Sequence, residues 1–116
     1  MDSPIACHLG VFSADERQRY HAVRAKIDAA VTRIVEIDHG YEFHLPGDDI
    51  MLGLVAEWVA LERRCCSFFE FTVGIGGADS SIRVALRGSP DVKLFLASEL
   101  RSRVMPPRTL VHRRDG

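Results

Sequence analysis

Two adjacent cysteines, Cys65 and Cys66, stand in the segment Glu62-Arg63-Arg64-Cys65-Cys66-Ser67-Phe68-Phe69, with a carboxylate three and four residues before them. Thiolates bind soft ions such as Zn²⁺, Cu(I), Hg(II) and As(III), and a carboxylate can complete a harder site. Neighbouring residues on a helix diverge by about 100°, so both thiols can serve one ion only where the helix ends. A third thiol must then come from elsewhere, and Cys7-His8 is the one other cysteine-bearing segment. The expected metal ligands are therefore Cys7, Cys65, Cys66 and Glu62, around a thiophilic ion. The competing reading makes all three cysteines small apolar filler in a core, a common fate for cysteine.

The helix that carries these residues can be read as a wheel. With Ile50 at 0°, Leu61 falls near about 20°, Leu54 near 40°, Cys65 near 60°, Trp58 near 80° and Met51 near 100°. Val55 and Cys66 lie at about 140–160°, with Arg63, Ala60 and Arg64 opposite. This places Cys65 in the middle of the apolar arc and Cys66 on its flank. Glu62, at about 120°, is the outlier inside that arc. A buried carboxylate is costly unless an arginine, a metal, a thiol proton or water meets it.

Other thiol chemistry is less well supported. A vicinal disulfide closes a strained ring and lacks the spacing of Cys-x-x-Cys redox motifs. An odd count of three cysteines, and an N-terminus Met1-Asp2-Ser3-Pro4 without basic residues, predict reduced thiols, no disulfide framework and a cytoplasmic chain. A nucleophilic cysteine with Glu62 as base finds no histidine close by in sequence; only His8 and His44 stand where they could contribute. No phosphate loop, HExxH or Ser/His/Asp pattern occurs, and Gly74-Ile75-Gly76-Gly77 reads as a hairpin turn. The expectation leans away from an enzyme.

These residues need a scaffold, and 116 residues with 47% hydrophobic and 27% charged content suit one globular domain. A net charge of −1 gives no support for nucleic acid as partner. No apolar run approaches the roughly 20 residues that cross a bilayer. Ser13 with Glu16 forms a capping-box pattern opening a helix over 14–31. Arg33 to Ile37 and Tyr41 to Leu45 flank Asp38-His39-Gly40, whose glycine suits a positive-φ turn position. A second helix runs from Asp49 to about Arg64. Strands through Phe69–Ile75 and Ile82–Leu86 form a second hairpin, and Ser89-Pro90-Asp91 opens the last helix.

The predicted fold is thus α+β, in the order α-β-β-α-β-β-α, with two hairpins forming one four-stranded sheet against three helices. Ile5 to Val11 is a candidate for a short extra N-terminal strand. The domain spans 1–106, and 107–116 reads as a flexible basic tail carrying Arg108, Arg113 and Arg114. Leu45-Pro46-Gly47-Asp48 echoes Leu86-Arg87-Gly88-Ser89, which suggests a repeated unit. Phe68, opposite the Phe69 row, is either the seat of a homodimer contact or one of the scattered exposed apolar residues common on protein surfaces.

Three segments together resemble a known group: Ile5-Ala6-Cys7-His8-Leu9, Ala14-Asp15-Glu16-Arg17, and Glu57 through Phe68. The chain is similar over most of its length to a family of small uncharacterised bacterial proteins with a Glu-Arg-x-Cys-Cys-Pro-Phe centre, some labelled in company with mercury-responsive regulators. Ser67 here stands where that centre has proline. The resemblance implies that Cys7, Cys65 and Cys66 act together as a three-thiol cluster, and it carries no activity with it. Two functions follow as expectations: a small soft-metal or metalloid binding protein, or a non-catalytic structural or regulatory interaction module with structural cysteines.

Overall fold

The computed structural model describes residues 7–78, 80–102 and 110–112. A 3-10 turn, Leu9–Val11, leads into α1 (Ala14–Ala30), followed by β1 (Arg33–Ile37), β2 (Gly40–Leu45), α2 (Asp49–Cys65), β3 (Glu70–Ile75), β4 (Ile82–Arg87), α3 (Pro90–Ser102) and β5 (Leu110–His112). The α-β-β-α-β-β-α order read from the sequence is the order observed. The sheet runs β3-β4-β2-β1-β5, antiparallel except for the parallel β1–β5 edge.

Two expectations about the chain ends change. Leu9–Val11 forms a 3-10 turn, so the N-terminal stretch adds no strand where it is described; 1–6 lie outside the described residues. Leu110–His112, within the expected tail, pairs with β1 in the register Ile34↔Leu110. The rest of 107–116 lies outside the described residues.

Local chemistry explains the elements. Ser13 accepts from the Glu16 N–H at 3.2 Å while the Glu16 carboxylate accepts from the Ser13 N–H at 2.9 Å, closing the capping box. Asp48 caps α2 through the Met51 N–H at 2.8 Å. The turn between β1 and β2 differs from the reading of Gly40. His39 takes the positive φ of 67°, and Gly40 begins the strand. Glycine is required there because a Cβ would run into the Leu86 carbonyl oxygen of the adjacent β4.

The two hairpins pair through β2 and β4, with Phe43 opposite Val84. One constant offset relates Leu45 to Leu86, Gly47 to Gly88, the caps Asp48 and Ser89, and the first helical residues Asp49 and Pro90. The echo seen in sequence is therefore a repeated β-β-α unit folded about the β2–β4 seam.

Tyr41, Phe43, Leu45, Ile82, Val84 and Leu86 supply the sheet's buried face; Tyr20, Val23, Ile27, Val55, Trp58 and Leu96 meet it from the helices. Coverage thins toward the β3 edge, where Val73 and Ile75 are 40% and 58% exposed. Phe68 is not on an outer sheet face. It sits in the turn before β3 and packs edge-on against Phe95 of α3, ring centroids 5.5 Å apart. The dimer contact expected at Phe68 loses that footing. No helix among the described residues is long and apolar enough to cross a membrane.

Candidate functional site

The buried arc of α2 is rotated from the one the wheel centred. Ile50, its reference point, is 79% exposed, while Val55, Trp58, Glu62 and Cys65 are buried. The arc therefore centres between Trp58 and Glu62, and Glu62, which had looked like an outlier, lies well inside it. Cys66 is fully buried, so its expected place on the flank is corrected as well. It follows the last helical residue, where φ −126° and ψ 64° take the chain out of the helix, with its N–H still bonded to the Glu62 carbonyl at 2.8 Å. That break swings Cys66 inward beside Cys65 despite the serine at position 67.

Cys7 reaches the same place through the backbone. The His8 N–H donates to the Cys65 carbonyl at 2.8 Å, one of the C-terminal helix carbonyls without an intrahelical partner. The helix end is clamped from outside by Arg64, which donates to the Glu16 carboxylate at 3.0 Å and to the Val11 carbonyl at 3.4 Å. Its guanidinium lies 4.9 Å from the Phe12 ring centroid. Arg19 and Glu57 add a paired contact between α1 and α2 at 2.7 and 2.6 Å. Together these fix the N-terminal segment against the end of α2.

The four residues singled out by sequence are brought together. One ligand atom from each of Cys7, Glu62, Cys65 and Cys66 lies within 4.8 Å of all the others. No histidine belongs to this cluster among the described residues; His44 instead meets Glu42 at 2.8 Å on the opposite sheet face. Cys7 and Cys66 are joined as a disulfide, with Cα atoms 4.7 Å apart, and Cys65 is a free buried thiol. This corrects the expectation of three reduced cysteines. The partner of Cys66 is the distant Cys7, which the docked N-terminal segment delivers, and not its sequence neighbour.

Glu62 is held by groups that the sequence did not single out. Tyr20 Oη and Trp58 Nε1 both donate to its Oε1, at 2.8 and 3.0 Å. Arg24 Nη1 in turn donates to Tyr20 Oη at 3.0 Å. Trp58, one helical turn before Glu62, was legible as a partner from its spacing. Tyr20 was not, because α1 reads only as an amphipathic helix until its packing on α2 is known. Glu62 Oε2 faces Cys66 Sγ at 3.2 Å, and Cys65 Sγ lies 3.5 Å from Cys66 Sγ.

Electrostatics agree with this geometry. Burial pushes the Glu62 carboxyl above its ordinary range, against the opposing pull of Tyr20, Arg24 and Trp58. A disulfide sulfur has no hydrogen to give, so the short Oε2–Sγ contact is best filled by a proton on the carboxyl. Burial, reinforced by the nearby Glu62, pushes the Cys65 thiol up too. Tyr20 is pushed up by burial and Glu62, and stays a neutral donor.

A cavity of about 30 Å³ adjoins the cluster. Cys7 and Glu62 open onto it, Phe43, Trp58, Phe69 and Phe95 wall it, and Arg24, Asp28 and Glu99 also line it. The fold and site define a small α+β protein built around a buried thiol–carboxyl cluster. Comparison of the chain with family models, curated proteins and solved structures found no match to any of them.

Proposed function

We propose that this protein, with its disulfide reduced, binds a thiophilic ion such as Zn²⁺, Cu(I), Hg(II) or As(III). Cys7, Cys65 and Cys66 are the ligands in this reading, and Glu62 is a fourth ligand or the group that orients them. The observation that supports it is the convergence of four ligand atoms within 4.8 Å of one another. A tetrahedral site with Zn–S bonds of ~2.3 Å spaces its sulfurs about 3.8 Å apart, close to the Cys65–Cys66 separation of 3.5 Å. Glu62 Oε1 is occupied by two donors, which leaves Oε2 for an ion. The resemblance to bacterial proteins with a Glu-Arg-x-Cys-Cys centre agrees with three cysteines acting as a unit. A reducing compartment, the cytoplasm, is where this form would persist.

The test is elemental analysis and titration of reduced, chelator-free protein with Zn²⁺, Hg²⁺ and arsenite. Stoichiometric binding that disappears in Cys66→Ser supports the reading. A reduced, folded protein that binds none of these ions refutes it.

The second reading is an interaction module stapled by Cys7–Cys66 that pairs with a second copy of itself. The exposed Val73 and Ile75 on the edge strand β3 favour it, since an uncovered apolar edge invites pairing. A monomer at high concentration in sedimentation equilibrium would remove it.

A further inference from the structure

We propose that the aromatic-walled cavity is the port through which a small, non-protein thiol reduces the Cys7–Cys66 disulfide. Cys7 is the attacked sulfur and Cys66 the leaving one. The three sulfurs differ in access. Cys65 and Cys66 are 1% and 0% exposed, whereas Cys7 is partly buried and is the cysteine that lines the cavity. Thiol–disulfide exchange depends on which sulfur an attacker can reach and on how well the other departs. An approach through the cavity meets Cys7 first.

The cavity also selects the reductant. About 30 Å³ admits the thiol end of a small molecule, or one or two waters, and not the surface of another protein. Phe43, Phe69 and Phe95 suit its methylene, and the polar side is lined by Asp28 and by the Arg24–Glu99 pair, 4.0 Å apart.

The leaving side is equally defined. As the external thiolate bonds to Cys7 Sγ, the Cys7–Cys66 bond breaks and its electron pair goes to Cys66 Sγ. That sulfur, 3.2 Å from Glu62 Oε2, takes up the proton released by the attacking thiol. A second thiol molecule then attacks the sulfur of the first, releasing Cys7 and a small disulfide. Two thiols are oxidised and one protein disulfide is reduced to two thiols; the proton of the first attacker ends on Cys66 and that of the second on Cys7. Cys65 is not the attacker, although it lies 3.5 Å from Cys66. Its attack would form a vicinal disulfide, whose strained ring conflicts with a Cys66 N–H still held by the helix. The proposal stands whether or not the reduced cluster takes an ion.

The experiment uses the oxidised full chain, free of metal, mixed with glutathione and quenched with acid and N-ethylmaleimide at short times. Peptide mapping should find the mixed disulfide on Cys7 and maleimide on Cys66. The opposite labelling, or a mixed disulfide on Cys65, overturns the assignment. Phe95→Trp, which fills the cavity, should slow reduction by glutathione by roughly tenfold, equivalent to about 1.4 kcal/mol of barrier. Loss of the reaction in Cys65→Ser would make Cys65 the attacker and overturn the assignment. Rapid reduction by a thioredoxin-type protein dithiol, with glutathione inert at millimolar concentration, would refute a small-thiol port even if every variant folds.

Discussion

Glu62 offers the sharpest test, because two substitutions of similar size should have opposite consequences. Its Oε1 accepts hydrogen bonds from Tyr20 Oη at 2.8 Å and Trp58 Nε1 at 3.0 Å, and all three side chains are buried. Glu62→Leu removes the acceptor and leaves both donors without one. Each orphaned buried donor costs about 1–3 kcal/mol, so the loss should be about 2–6 kcal/mol. Glu62→Gln keeps a carbonyl oxygen for the same two donors and offers an N–H toward the Cys66 sulfur, so it should fold as well as the wild type or better.

Acidity separates the two further. Burial raises the Glu62 carboxyl in the folded state above its unfolded value. The folded protein therefore holds this proton over a range where the unfolded chain has released it, and stability falls as pH rises through that range. Below the unfolded value near about 4.3 both states are protonated and the penalty is absent. The advantage of Glu62→Gln over wild type should accordingly appear at neutral pH and vanish in acid. Urea denaturation of the oxidised proteins, followed by far-ultraviolet circular dichroism at both pH values, measures both effects. If Glu62→Leu proved as stable as Glu62→Gln at neutral pH, the carboxyl would not be anchoring Tyr20 and Trp58, and the reasoning would fail.

Other expectations are equally direct. The Cys7–Cys66 bridge spans a sequence separation of 59, for which loop-closure entropy predicts about 4 kcal/mol of stabilisation; urea midpoints with and without dithiothreitol that coincide would contradict it. Glu16, held down to about 2 chiefly by its hydrogen bond from Arg64, should titrate there by carboxyl NMR, and Arg64→Ala should move it back toward the ordinary range. Gly40→Ala forces a Cβ into the Leu86 carbonyl oxygen, so thermal unfolding should show a loss of about 1–3 kcal/mol or more.

Much of the scaffold was legible because its signals are local. Alternation marked the strands, and Ser13 with Glu16 marked a helix start that the capping box reproduces. Even the repeated unit could be read from Leu45-Pro46-Gly47 against Leu86-Arg87-Gly88. The site was legible only in part. An acid in an apolar arc flagged Glu62, but the wheel assumed that the most apolar direction was the buried one. Ile50 shows why that failed: it sits in the first turn of α2 and is exposed despite its chemistry. The docking of Cys7 depends on one backbone bond to the end of α2 and on Arg64, and neither leaves a periodic trace. The parallel pairing of Leu110–His112 with β1 is likewise a contact between distant segments.

The disulfide and the proposed ion site draw on the same sulfur atoms, so the proposed site can form only once the bridge is reduced. In the oxidised form Cys7 and Cys66 spend on each other the electron pairs that would bind an ion, leaving one buried thiol and one carboxyl. Those two groups alone are a poor soft-metal site, because burial raises both and so disfavours the anions that coordinate. Reduction frees two thiols within 4.8 Å of the third without requiring the helices to move, since Arg64, Glu16 and the His8–Cys65 backbone bond hold the segment independently of the bridge. An arriving cation would then replace the protons that the buried groups retain, and binding should release protons and strengthen as pH rises. If the reduced cluster takes an ion, its affinity and the thiol redox state are linked through Cys7 and Cys66, with Glu62 as a ligand or orienting group.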